Sequence, residues 1–192
     1  IIFSGDAYID HPSMGAAVIG RMLEAHGYNV AIVPQPNWRD DLRDFKKLGR
    51  PRLFFGVSAG AMDSMVNHYT ANRRRRSDDA YTPDGRAGQR PDCPTVVYSE
   101  ILKRLWPDVP VVAGGIEASL RRLAHYDYWK DRLVPSILME SPADIMVYGM
   151  GEKPMLQIAD ALNDGMPIEA LLDIPQTQII VMVWDDISDS EL

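Results

Sequence analysis

A chain of 192 residues, 46% of them apolar, buries one substantial core and leaves little for a second. The formal net charge of −7 argues against broad affinity for nucleic acid or acidic lipid, since both bind through positive charge that releases counterions. One cysteine, Cys93, cannot close an intramolecular disulfide or supply the three or four ligands of a cluster or structural zinc, and no apolar run approaches the roughly 18 residues of a bilayer span. A cytoplasmic protein is the default. The first residue is an isoleucine inside an apolar run, which reads as a chain cut from a longer sequence.

Short β-branched runs alternate with stretches of helical period, the pattern of an α/β, doubly wound, mainly parallel sheet of five to six strands in the flavodoxin-like manner. Strands are expected over residues 1–4, 29–33, 53–57, 109–113 and 144–148, with 177–183 a further edge strand. The first helix follows Pro12, with Met14, Ala17, Val18, Met22 and Ala25 on its apolar face and Gly27 as its stop. Met62, Met65, Val66 and Tyr69 predict a second stripe, which leaves Asp63 and Asn67 on the opposite, polar face. Four arginines, Arg73 to Arg76, would wrap the end of that helix and suggest a partner or a phosphate. Residues 77–94 are dense in Asp, Gly and Pro and too long for a simple connector, so they read as a lid or a docking surface, with Cys93 a solvent-facing bystander. Met155, Ile158, Ala159 and Leu162 form a last stripe, closed by Gly165. One Rossmann-like domain over 1–183 with an acidic tail over 184–192 is the expected organisation.

Ligands of open parallel sheets sit outside the carboxyl ends of the strands, so the residues after each run are the candidates. Glycines stand there repeatedly: Gly5, Gly60, Gly114 with Gly115, and Gly149 with Gly151, a ledge of open backbone. The first loop concentrates Asp6, Tyr8, Asp10 and His11, a set suited to hydrogen bonding a polar ligand, although a helix cap accounts for one such residue. Ser58, Asp63 and Asn67 follow the third run. Glu117, Arg121, Arg122, His125 and Tyr126 crowd the segment after the fourth, and guanidinium with aromatic groups suits stacking and bidentate contact. Glu152 follows Gly151. GMGEKP lacks the third glycine of a dinucleotide fingerprint, and no P-loop pattern occurs.

GDAYIDHPSMG, LFFGVSAGAMDSMVNHYTANRRRR, DDAYTPDG, GGIEASLRRLAHYDYW and YGMGEKP, in that order, resemble the YgiQ family of radical SAM proteins over nearly the whole chain. The resemblance implies a cobalamin-domain-like accessory region ahead of a radical SAM domain whose C-x3-C-x2-C motif binds a 4Fe-4S cluster and cleaves S-adenosylmethionine. That motif is not in this sequence, so no cofactor and no catalytic residue is expected in the chain itself. The partner implied is the radical SAM domain of the same polypeptide, with a small-molecule or macromolecular substrate. The GG and GxGE loops are similar to those of cobalamin-binding domains, but the D-x-H-x-x-G arrangement that gives cobalt a histidine is not present, which leaves cobalamin open. Holding substrate or corrinoid, docking the radical SAM domain as a structural module, and a free-standing NAD oxidoreductase are the three functions to distinguish.

Overall fold

The computed structural model describes residues 1–9 and 14–181. The elements, in chain order, are β1 (Ile2–Ser4), α1 (Met14–Ala25), β2 (Ile32–Pro34), α2 (Arg43–Lys46), β3 (Phe55–Ser58), α3 (Ser64–His68), α4 (Pro94–Leu105) and β4 (Val111–Gly114). They continue with α5 (Gly115–Leu120), the hairpin strands β5 (His125–Asp127) and β6 (Arg132–Val134), α6 (Ile137–Glu140), β7 (Ile145–Val147), α7 (Glu152–Asn163) and β8 (Thr177–Gln178). The main sheet runs β2-β1-β3-β4-β7-β8. Its first five strands are parallel and β8 closes the edge antiparallel, with Met146 opposite Gln178. The architecture is the expected doubly wound α/β fold, with β1 next to the central pair.

Each inner strand is buried on both faces, which is why these runs are continuously apolar. On one face Phe3, Phe55, Val57 and Val111 pack with Tyr98 and Leu102 of α4 and with Phe45, whose ring stacks on Phe3 at 5.1 Å. On the other, Val112, Ile145 and Val147 meet Leu23 of α1 and Met155 and Ile158 of α7. Gly27 ends α1 at φ +88°, where Tyr28 N donates back to Leu23 O and satisfies a terminal carbonyl.

Several expectations need correction. Strands two to four start two or three residues late, because backbone pairing rather than apolar character sets their ends. The buried residues of α1 are Ala16, Gly20 and Leu23, with Ala17, Ile19 and Met22 half-buried, so Val18 and Ala25 of the expected stripe are exposed. The α3 stripe is inverted: Ser64, Asn67 and His68 are buried, whereas Met62 and Val66 face outward. The four arginines do not wrap a helix end, since α3 stops at His68 and the chain turns so that Tyr69 bridges Arg75. Cys93 is partly buried before α4, and burial pushes its thiol up to about 12. Of residues 177–183, two form β8; residues 182–192, and with them the acidic tail, lie outside the described residues, as do Asp10 and His11.

Candidate functional site

A cleft of about 300 Å³ opens at the carboxyl ends of β3, β4 and β7 and reaches β1 at Ile2, the first residue of that strand. Its floor is Ile2, Gly56, Val57, Val112 and Val147, and its walls are Val18 and Ile19 of α1 and Met155 of α7. Gly114, Gly115, Gly149, Gly151, Ser58 and Glu152 line the cleft from the strand-end loops, so six of the expected site residues meet there. Gly115 has φ +83°, and a Cβ on it would fall 2.6 Å from Ser58 Oγ, so only glycine lets the two loops approach. A Cβ on Gly15, by contrast, would meet nothing within 4 Å, which leaves the α1 side open. The lining is apolar apart from Ser58 and Glu152, a surface for a flat or aliphatic group rather than for acid-base chemistry. Sequence reasoning missed Val18, Ile19 and Met155, because apolar residues on a helix read as core, and Met150, an apolar residue between two loop glycines.

Not every strand-end glycine belongs to an open ledge. A Cβ on Gly5 would lie 2.2 Å from Ala59 O, and one on Gly60 would lie 2.1 Å from Asp6 Oδ1, so these two let the first and third loops pack. Asp6 is buried, accepts from Ala61 N at 2.7 Å and receives Arg90 Nη1 at 2.8 Å. Arg90 also donates to Ala59 O and lies 3.4 Å by its Nε from Asp79. His68 reaches Asp92 at 2.9 Å, which holds that carboxyl below its usual range. Residues 77–94 are therefore strapped to the sheet edge by buried ions. A free lid does not fit these contacts, and Arg90 carried no signal beyond the loop's length.

A second buried group stands near the first, with Tyr98 close to both. Arg121 donates to both oxygens of Asp63, at 2.9 Å to Oδ2 and 3.1 Å to Oδ1, while Asp63 Oδ1 also caps α3 by accepting from Val66 N. Glu117 is fully buried; its Oε1 accepts from Thr95 N at 3.0 Å, and burial pushes the carboxyl up to about 7. Glu117 Oε2, Asn67 Nδ2, Ser64 Oγ and Tyr98 OH are buried without hydrogen-bond partners among the described residues. Arg122 stacks on Tyr148 at 5.4 Å and donates to Ser119 O. His125 and Tyr126 stand apart on the β5–β6 hairpin, and Tyr8 is exposed at φ 61°. The polar candidates among the described residues thus divide between the cleft, the two buried networks and the exposed surface instead of gathering at one place. No helix among the described residues is long and apolar enough to cross a membrane.

A mainly parallel sheet of this strand order, covered by helices on both faces, is a Rossmann-like fold of the cobalamin-domain kind. Its fold is similar to a quarter of the radical S-adenosylmethionine methyltransferase TsrM from Kitasatospora setae, solved with cobalamin and a 4Fe-4S cluster: 92% of this chain aligns with 26% of that one, with TM-score 0.55 and 21% identity. Residues 1–191 match the Radical SAM N-terminal family, and the chain belongs to it. A UPF0313 protein of Porphyromonas gingivalis is 70% identical over 181 residues, and the UPF0313 protein YgiQ of Escherichia coli K12 is 56% identical over the same length. These matches cover 94% of this chain but 28% and 24% of the relatives, so the chain spans about a quarter of their length.

Proposed function

We propose that this chain is the accessory domain of a radical SAM iron-sulfur protein and that its cleft, between α1, α7 and the strand-end glycine loops, would hold part of a corrinoid. The cleft carries this reading: about 300 Å³ of apolar space, entered past glycines, at the sheet edge where α/β folds bind ligands. The likeness to a cobalamin-bearing structure supports it. The residues fit the group in shape. Val18, Ile19, Val112 and Val147 would enclose a flat heteroaromatic tail, and Gly114, Gly115 and Gly149 would leave room for the ring. No histidine lines the cleft among the described residues. A bound corrinoid would supply a metal centre for group transfer; this chain's part would be to exclude water and orient the ligand.

The 4Fe-4S cluster and S-adenosylmethionine belong to the remainder of the polypeptide, because Cys93 is one thiol where a cluster needs three. The test is titration of the intact protein with hydroxocobalamin, read by absorbance after gel filtration. We expect one equivalent retained, and loss of retention in Gly15→Leu combined with Val18→Trp, which fill the open wall from exposed helix positions. An intact protein that retains no corrinoid defeats the reading. Retention of a nicotinamide dinucleotide instead would favour an oxidoreductase.

A further inference from the structure

The β5–β6 hairpin serves neither the cleft nor the core. Its inner side is anchored: Asp127 accepts from Trp129 N and Lys130 N at 2.9 Å and lies 4.0 Å from Arg121 Nη1, and Val134 is buried. Its outer side is bare. Tyr126 pairs across the strands with Leu133, and the two are 55% and 78% exposed. Tyr128 beside them carries the Arg73 guanidinium 4.4 Å above its ring and donates to Ala71 O, which joins the arginine turn to the same face. A lone two-stranded hairpin is marginal in water, so the ion network beneath is what fixes this one in place. What it displays, tyrosine and arginine around an exposed leucine, is the composition of a protein interface rather than of a solvated loop.

We infer that this hairpin face is where the radical SAM part of the same polypeptide packs. The chain spans about a quarter of its relatives' length, and on the accessory-domain reading the remainder of the polypeptide would pack on part of this surface. A groove lined by Leu123, Pro135, Leu138, Met139, Ile179 and Ile180 joins the foot of the hairpin to the last described residues. Ile179 and Ile180, near the end of the described residues, thus lie on the hairpin's own flank. A polyanion is a poorer occupant of the hairpin, where Asp127 and Asp131 offset Lys130 and Arg132 and leave no net positive charge. The inference rests on the accessory-domain reading but not on the corrinoid.

The experiment uses the full-length protein with the photo-reactive residue p-benzoylphenylalanine at position 133, whose exposure makes it tolerant of replacement. Irradiation and peptide mass spectrometry should give intrachain cross-links from residue 133 to peptides beyond residue 192. Cross-links to a second copy or to nucleic acid would overturn the inference, and so would no cross-link at all. In parallel, Leu133→Asp with Tyr128→Asp should speed amide exchange across β5 and β6 in the full-length protein, and unchanged exchange would count against docking. Cross-links that persist in a protein failing to retain hydroxocobalamin would sink the cleft reading alone.

Discussion

Arg90 is fully buried, with its guanidinium 2.8 Å from Asp6, 3.4 Å from Asp79 and 5.3 Å above the centre of the Tyr81 ring. Removing one partner of a buried ion network strands the others in a medium that solvates charge poorly. Arg90→Met keeps the length of the side chain and should therefore still lower unfolding free energy by about 3–5 kcal/mol, read from the denaturant midpoint. Glu117 presents the opposite case, a buried carboxyl with no cation in direct contact. Its folded pKa, about 7, stands above the ordinary 4.5, so the folded state binds its proton more tightly than the unfolded state. Stability from this group is fully present below pH 4.5 and is lost as the pH rises through 7, by on the order of 3 kcal/mol. Glu117→Gln keeps the acceptor for Thr95 N and should flatten that slope, with the variant the more stable protein at pH 8. Equal slopes in denaturation at pH 5 and pH 8 would show that the carboxyl is not buried as drawn.

At the scale of elements, helix ends are set by backbone geometry that single residues can break. Gly27→Ala meets no neighbouring atom within 4 Å, so its only penalty is the positive φ, and a loss of about 1 kcal/mol should appear in thermal unfolding. The inner parallel strands β1, β3, β4 and β7 were legible because strands buried on both faces read as unbroken apolar runs, and the strand-end glycines followed by topology. The polarity of α3 was not. Hydrophobic period puts Met62 and Val66 inward, but Asp63 is drawn in by Arg121 and His68 by Asp92, so charge pairing from distant segments overrides the stripe. The β5–β6 hairpin was missed for a related reason: its strands are three residues each, too short to show alternation within a segment crowded with charged and aromatic residues. The cleft was half legible. Its loops followed from the sheet, whereas its α1 wall depends on a helix rotation that the apolar pattern left one residue off.

The two apolar clusters lie on opposite faces of one sheet whose central strands, β3 and β4, lie between them, with Val111 and Ala113 of β4 in one and Val112 in the other. Alternating side chains of a single strand thus belong to different cores, and neither face can open without loosening the strands that hold the other. This geometry makes the fold one cooperative unit even though the helices of the two faces pack into separate clusters. Ile101→Val on α4 removes a methylene from the first cluster and Ile158→Val on α7 removes one from the second. Each should lower stability by about 0.5–1.5 kcal/mol, and because the sites belong to separate clusters the double variant should show the sum within about 0.5 kcal/mol. In the isolated chain, circular dichroism and tryptophan fluorescence should move together for all three variants, with Trp106 reporting from the α4 face. A fluorescence transition that shifts with Ile101→Val and ignores Ile158→Val would mean that the faces unfold separately. The sheet would then be a shared wall between two folding units.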